Sequence, residues 1–96
     1  MTWIQTVPPE QANAELMSCY EAVYALYPQE YRAEVAAVRR PDGSADSIVA
    51  AHSLIPQVLR HALSAYGVLL SPDLPLQRRH HEMIATVVSA VNHCFY

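Results

Sequence analysis

The sequence predicts an all-α protein, and more specifically the N-terminal part of an antiparallel helical bundle. Three observations carry the all-α expectation. Apolar residues recur at intervals of three and four through long segments, only two glycines occur in 96 residues, and prolines stand where those segments begin or end. A sheet protein built on tight turns needs more turn-forming glycine than this.

The first helix is expected from about Glu10 to Leu26. Leu16, Tyr20, Val23 and Tyr27 recur at intervals of four, three and four, which places them on one face. Pro8 and Pro9 suit the approach and first turn, Glu10 and Glu15 favour the positive N-terminal end, and Pro28 lies just beyond the last turn. Cys19 falls near the apolar stripe and reads as a small buried hydrophobe.

Residues 29–47, "QEYRAEVAAVRRPDGSADS", form a connector, with a short helix expected over Tyr31–Val38 and a turn at Pro41-Asp42-Gly43-Ser44. The chain turns apolar again at Ile48. Pro56 fits the first turn of a second helix whose inward face is expected to be Leu59, Leu63, Tyr66 and Leu70. "SPDLP" at 71–75 interrupts the pattern, and a third helix follows from about Leu76 to Val91. Its spacing separates two faces. Met83, Ile84, Val87, Val88 and Val91 make a core-like stripe, whereas Glu82, Thr86, Ser89 and His93 make a polar one.

Composition bounds the function classes. At 96 residues the chain supports one core, so residues 1–96 are read as one helical domain. With 52% hydrophobic and 16% charged residues it is too apolar to be a disordered segment. The net charge of −3, the lack of lysine and the scatter of the six arginines give no basic stripe for nucleic acid. No leader-like start and no apolar run of membrane-spanning length occur, so a soluble, cytoplasmic protein is expected. Two cysteines 75 positions apart, Cys19 and Cys94, then read as reduced thiols rather than as a disulfide framework.

Taken by position alone, Glu82 is a solvated surface carboxylate. Its setting changes that reading. The segment "EMIATVVSAVNHCFY", Glu82 to Tyr96, resembles the signature of the alkylhydroperoxidase D-like branch of the carboxymuconolactone decarboxylase superfamily, in particular its peroxidase-related proteins. In that pattern a glutamate stands twelve residues before the first cysteine of a Cys-x-x-Cys pair, as Glu82 stands before Cys94. "MTWIQTVPPEQANAEL" is similar to the family's opening, and "HSLIPQVLRHALSAYGVLLSPDLPL" to its helix and loop before the signature, so nearly the whole chain takes part. His80-His81 departs from the Arg/Glu-rich sequence usual just before the glutamate.

The resemblance implies a thiol-dependent peroxidase with no metal, haem or other cofactor. Its substrate would be a small hydroperoxide, its partners a thiol reductant and further copies of the chain. Cys94 and Glu82 would be its catalytic residues, with His93 and Tyr96 auxiliary. In that mechanism the second cysteine of the pair attacks the peroxide and Cys94 resolves the sulfenic acid as a disulfide. A histidine four residues beyond the second cysteine would be oriented by Glu82. Neither that cysteine nor that histidine is among the 96 residues, so the chain is expected to belong to a longer polypeptide and to be inactive by itself.

Physical geometry adds a constraint. Twelve residues of straight helix separate Glu82 from Cys94 by roughly 18 Å, so the two meet only through an intervening residue. His93, beside Cys94, is a candidate substitute base, although a polar histidine at a helix end is the more ordinary reading. The core-like stripe of the third helix is expected to be bare unless further chain or an oligomeric partner covers it.

Two other readings stand beside the peroxidase. One is a cofactor-free decarboxylase- or isomerase-like member of the same superfamily, against which Cys94 speaks. The other is a helical interaction or metal-binding module using His80, His81, His93 and Cys94. Adjacent histidines point about 100° apart on a helix, which suits tetrahedral zinc poorly.

Overall fold

The first helix starts at Ala14, not at Glu10. In the computed structural model, which describes residues 3–33, 36, 41 and 47–94, Pro9–Gln11 forms a separate 3-10 turn and Ala12 is extended. Asn13 is the physical reason: its side-chain oxygen accepts from the Leu16 amide at 2.9 Å, capping a new helix four residues later than apolar periodicity suggests. Helix α1 then runs Ala14–Tyr24 and buries Leu16, Cys19, Tyr20 and Val23. Cys19 is a core residue, as its place near the stripe indicated.

Helix α2, Pro56–Leu69, begins on Pro56 and packs against α1. Its buried face is Leu59, Leu63 and Gly67, which corrects the expected Leu59-Leu63-Tyr66-Leu70 face. Tyr66 is exposed and Leu70 half-buried. The cause is the closeness of the chain after α1. A methyl group added at Gly67 would lie 2.7 Å from Leu26 Cβ, so only glycine permits this approach, and the helix turns to present it.

The core is completed by Val49, next to the 3-10 turn Ala50–His52, with Val7, Ala12 and Tyr27 packed against its edge. Val23 and Leu59 are fully enclosed, each contributing roughly 1.5–3 kcal/mol by burial. The N-terminal segment is held by two polar contacts. The Tyr20 hydroxyl donates to the Val7 carbonyl at 2.6 Å, and the Val7 amide donates to buried Ser53 Oγ at 2.7 Å. Along the α1 side, Tyr20 stacks on Tyr24, Tyr24 meets Tyr27 edge-on, and Tyr27 meets Tyr66 in the same way, with ring centroids 5.7–6.1 Å apart.

In the connector, Gln29–Arg32 forms a 3-10 turn, whereas most of the expected Tyr31–Val38 helix and Pro41–Ser44 turn lie outside the described residues. Helix α3, Arg78–Val91, has the expected extent to within two residues but buries none of its side chains. The described residues hold helices and turns and no strand, so the protein is all-helical. None of these helices is long and apolar enough to cross a membrane.

Candidate thiol site

Helix α3 starts after the SPDLP break. The Gln77 amide donates to His80 Nδ1 at 3.1 Å, so His80 is committed to holding the helix start. One turn further, Arg78 Nε donates to Glu82 Oε1 at 2.6 Å, and Arg78 also reaches Glu30 at 4.0 Å. The Glu82 carboxylate therefore faces a guanidinium four residues back along the helix. The spacing was readable from the sequence as a helix-surface pair, in the less favourable basic-before-acidic order. Thr86 Oγ1 donates to the Glu82 carbonyl at 2.7 Å, which turns that hydroxyl inward onto the helix.

The far end of α3 sets the position of Cys94. The His93 amide donates to Ala90 O at 3.2 Å and the Cys94 amide to Ser89 O at 2.9 Å, the paired bonds of a Schellman stop. That stop requires a left-handed residue, and His93 takes it at φ 51° in place of the usual glycine. Left-handed backbone turns the chain out of the helix one residue before Cys94. The thiol is exposed and unpaired, just beyond the C-terminal end of α3.

Ala85, Thr86, Ser89, Ala90, His93 and Cys94 line an open groove of about 510 Å³. Three members of the predicted polar face, Thr86, Ser89 and His93, thus come together with Cys94. Glu82 does not join them. The helix from Glu82 to Val91 is about 14 Å long, and the carboxylate is engaged with Arg78 at the other end. Tyr96 lies outside the described residues. No three His, Cys, Asp or Glu side chains come together as a metal site among the described residues.

The apolar face of the same helix is bare. Met83, Ile84, Val87, Val88 and Val91 are each more than half exposed, although their spacing is that of a core stripe. Ionisation is shifted in the tyrosine row. Burial pushes Tyr27 up to about 12, with Tyr66 and Tyr24 adding to it, and burial also raises Tyr20. Neither was singled out from the sequence as a titrating group, because the aromatic row depends on how α1 meets α2.

Compared with family models, curated proteins and solved structures, the chain matches none.

Proposed function

We propose that this chain carries one thiol of a dithiol peroxidase of the alkylhydroperoxidase D-like kind, with Cys94 as the resolving cysteine. The observation that carries the reading is the exposed, reduced Cys94 at the mouth of a groove that also holds His93, Ser89 and Thr86. The spacing of Glu82 and Cys94 in the resembling segment supports it.

The chemistry balances with two thiols. A peroxidatic thiolate attacks the O–O bond of a hydroperoxide, the alkoxide leaves and takes a proton as an alcohol, and the cysteine becomes a sulfenic acid. The Cys94 sulfur then attacks that sulfenic sulfur, water leaves, and a disulfide forms. A dithiol reductant returns the pair to thiols and is itself oxidised. Cys19 is buried in α1 and does not supply the other thiol, so the peroxidatic cysteine comes from outside these 96 residues. Glu82 acts on that centre as a positioning residue, through a base brought between it and Cys94.

The test is to expose the protein from its own source to one equivalent of tert-butyl hydroperoxide and map the products by mass spectrometry. A disulfide that includes Cys94 is expected. In Cys94→Ser that disulfide is lost and the companion cysteine stays as a sulfenic acid, trapped by dimedone. Recovery of Cys94 as an unreacted thiol after peroxide consumption overturns the proposal. Turnover that survives Cys94→Ser but not Glu82→Gln indicates acid–base chemistry of the decarboxylase-like kind. The bare stripe on α3 favours a second reading, a non-catalytic oligomerisation module, to which an absence of peroxide consumption would point.

A further inference from the structure

Helix α3 has little to keep it helical. It buries none of its side chains. The Arg78–Glu30 pair, which ties it to the 3-10 turn Gln29–Arg32, spans 4.0 Å with the two side chains 37% and 74% exposed, a geometry that contributes little in water. A helix of fourteen residues without packing is at the margin of stability even when it is rich in alanine. Here five of the fourteen are β-branched: Ile84, Thr86, Val87, Val88 and Val91. The first turn has no acidic residue and opens on Arg78-Arg79, so positive charge stands at the positive end of the helix dipole, and the last turn has no basic residue to answer the other end. The body of the molecule does not depend on α3. Its buried cluster, Leu16, Cys19, Tyr20, Val23, Val49, Leu59 and Leu63, takes nothing from that helix.

The thiol groove, by contrast, depends on α3 alone. Every residue that lines it belongs to that helix or to its stop. While the segment is helical, Thr86 and His93 are about 10 Å apart along the axis; extended chain would carry them up to about 23 Å apart. The bond from the Cys94 amide to Ser89 O is lost in the same step. Melting α3 therefore dismantles the groove and leaves the α1–α2 core as it is.

We propose that α3 is a helix–coil switch: it opens and recloses while the α1–α2 body stays folded, and the thiol groove is assembled only while α3 is helical. The switch links positions that do not touch. A change anywhere along α3 that raises its helix content also populates the groove. The opening rests on the packing and sequence of α3; that it governs when Cys94 is presented beside His93 and Ser89 rests on the peroxidase reading. Exchange is measured without peroxide, so the switch and that reading fail separately.

Hydrogen exchange of the 96-residue chain, followed amide by amide by NMR, tests this. The amides of Ala85 to Val91 are expected to be protected at least about a hundredfold less than those of Leu59 and Leu63, and to keep that value in urea below the midpoint of the body. Val88→Ala replaces an exposed β-branched residue by the best helix former. It should raise protection along α3 and at the Cys94 amide about two- to threefold, with the α2 amides unchanged. In a packed helix the same truncation lowers protection, so the sign decides. Arg79→Glu, which acts through the dipole instead, should raise it about two- to fivefold. Exchange of α3 in step with Leu59 and Leu63 overturns the proposal, and so does a loss of protection in Val88→Ala. An α3 without protection in wild type and in both variants overturns it as well, because a switch needs both of its states populated.

Discussion

Helices α2 and α3 each have fourteen residues and each carries an apolar stripe at helical spacing, yet one is anchored in a core and the other buries nothing. The difference lies in what faces them. Helix α2 meets α1 through Leu59 and Leu63 and the chain just after α1 through a glycine that allows close approach, and the Val7–Ser53 bond fastens the N-terminal segment beside the turn that leads into α2. Helix α3 is held by contacts within its own ends, Gln77–His80 and the Schellman stop at His93, and by the exposed Arg78–Glu30 pair. Periodicity therefore specifies that a face exists, and a partner specifies whether it is buried.

The sharpest way to break the comparison is to delete equal kinds of side chain on both helices. Leu59→Ala should cost about 2–5 kcal/mol, because it opens a cavity among fully enclosed residues. Val87→Ala, at 62% exposure, should stay within about 0.5 kcal/mol in dilute solution. Urea midpoints for the two variants give the measurement, and equal shifts would show that α3 is part of the core.

Gly67→Ala tests the close approach. Alanine gains up to about 1 kcal/mol in helix propensity over glycine. Here the clash with Leu26 Cβ at 2.7 Å should reverse the sign, leaving a net loss of about 1–2 kcal/mol in the same urea titration. A stabilised variant would mean that Leu26 moves away freely.

A smaller effect comes from pH. Tyr27 and Tyr20 both have folded-state values above the ordinary value of 10.0, so above that pH the unfolded chain loses protons that the folded chain keeps. The stability from this source is complete below pH 10 and should fall as pH rises through about 12, the Tyr27 value. Thermal melts across that window should show the fall in wild type and a weaker one in Tyr27→Phe; identical profiles would remove the tyrosine row as its cause.

The smallest effect is local. Replacing His93 by glycine relieves a left-handed residue and should strengthen the α3 stop by about 0.5–1 kcal/mol. It should appear as slower hydrogen exchange at the Cys94 amide, with no change in the urea midpoint.

The helices were legible because Leu16-Tyr20-Val23 and Leu59-Leu63 repeat at the helical period, and Cys19 was legible as core from its place beside that stripe. Gly67 was not, since a glycine inside a helical pattern does not say which backbone will come near it. Ser53 and Val7 lie 46 positions apart, and no local pattern connects them. For the thiol site, the row Thr86, Ser89 and His93 could be read from its spacing, and the approach of Cys94 to it follows from the same helix. The left-handed turn at His93 could not, because Asn92, the residue better suited to that conformation, sits one position earlier.

The bonds joining Val7 to Tyr20 and Ser53 also bear on the order in which the molecule assembles. Val7 sits 13 positions from Tyr20 and 46 from Ser53, so the second bond closes a long loop whose entropy is lost before any compensating contact forms there. Docking of α1 on α2 brings Ser53 beside the Tyr20 hydroxyl and prepares the place that the N-terminal segment enters last. Ser53→Ala should then accelerate unfolding while leaving the folding rate nearly unchanged, a φ-value near zero in stopped-flow measurements. A φ-value near one would place the N-terminal segment in the folding nucleus instead. In the first case the segment before α1 is the latch that sets how long the native state lives.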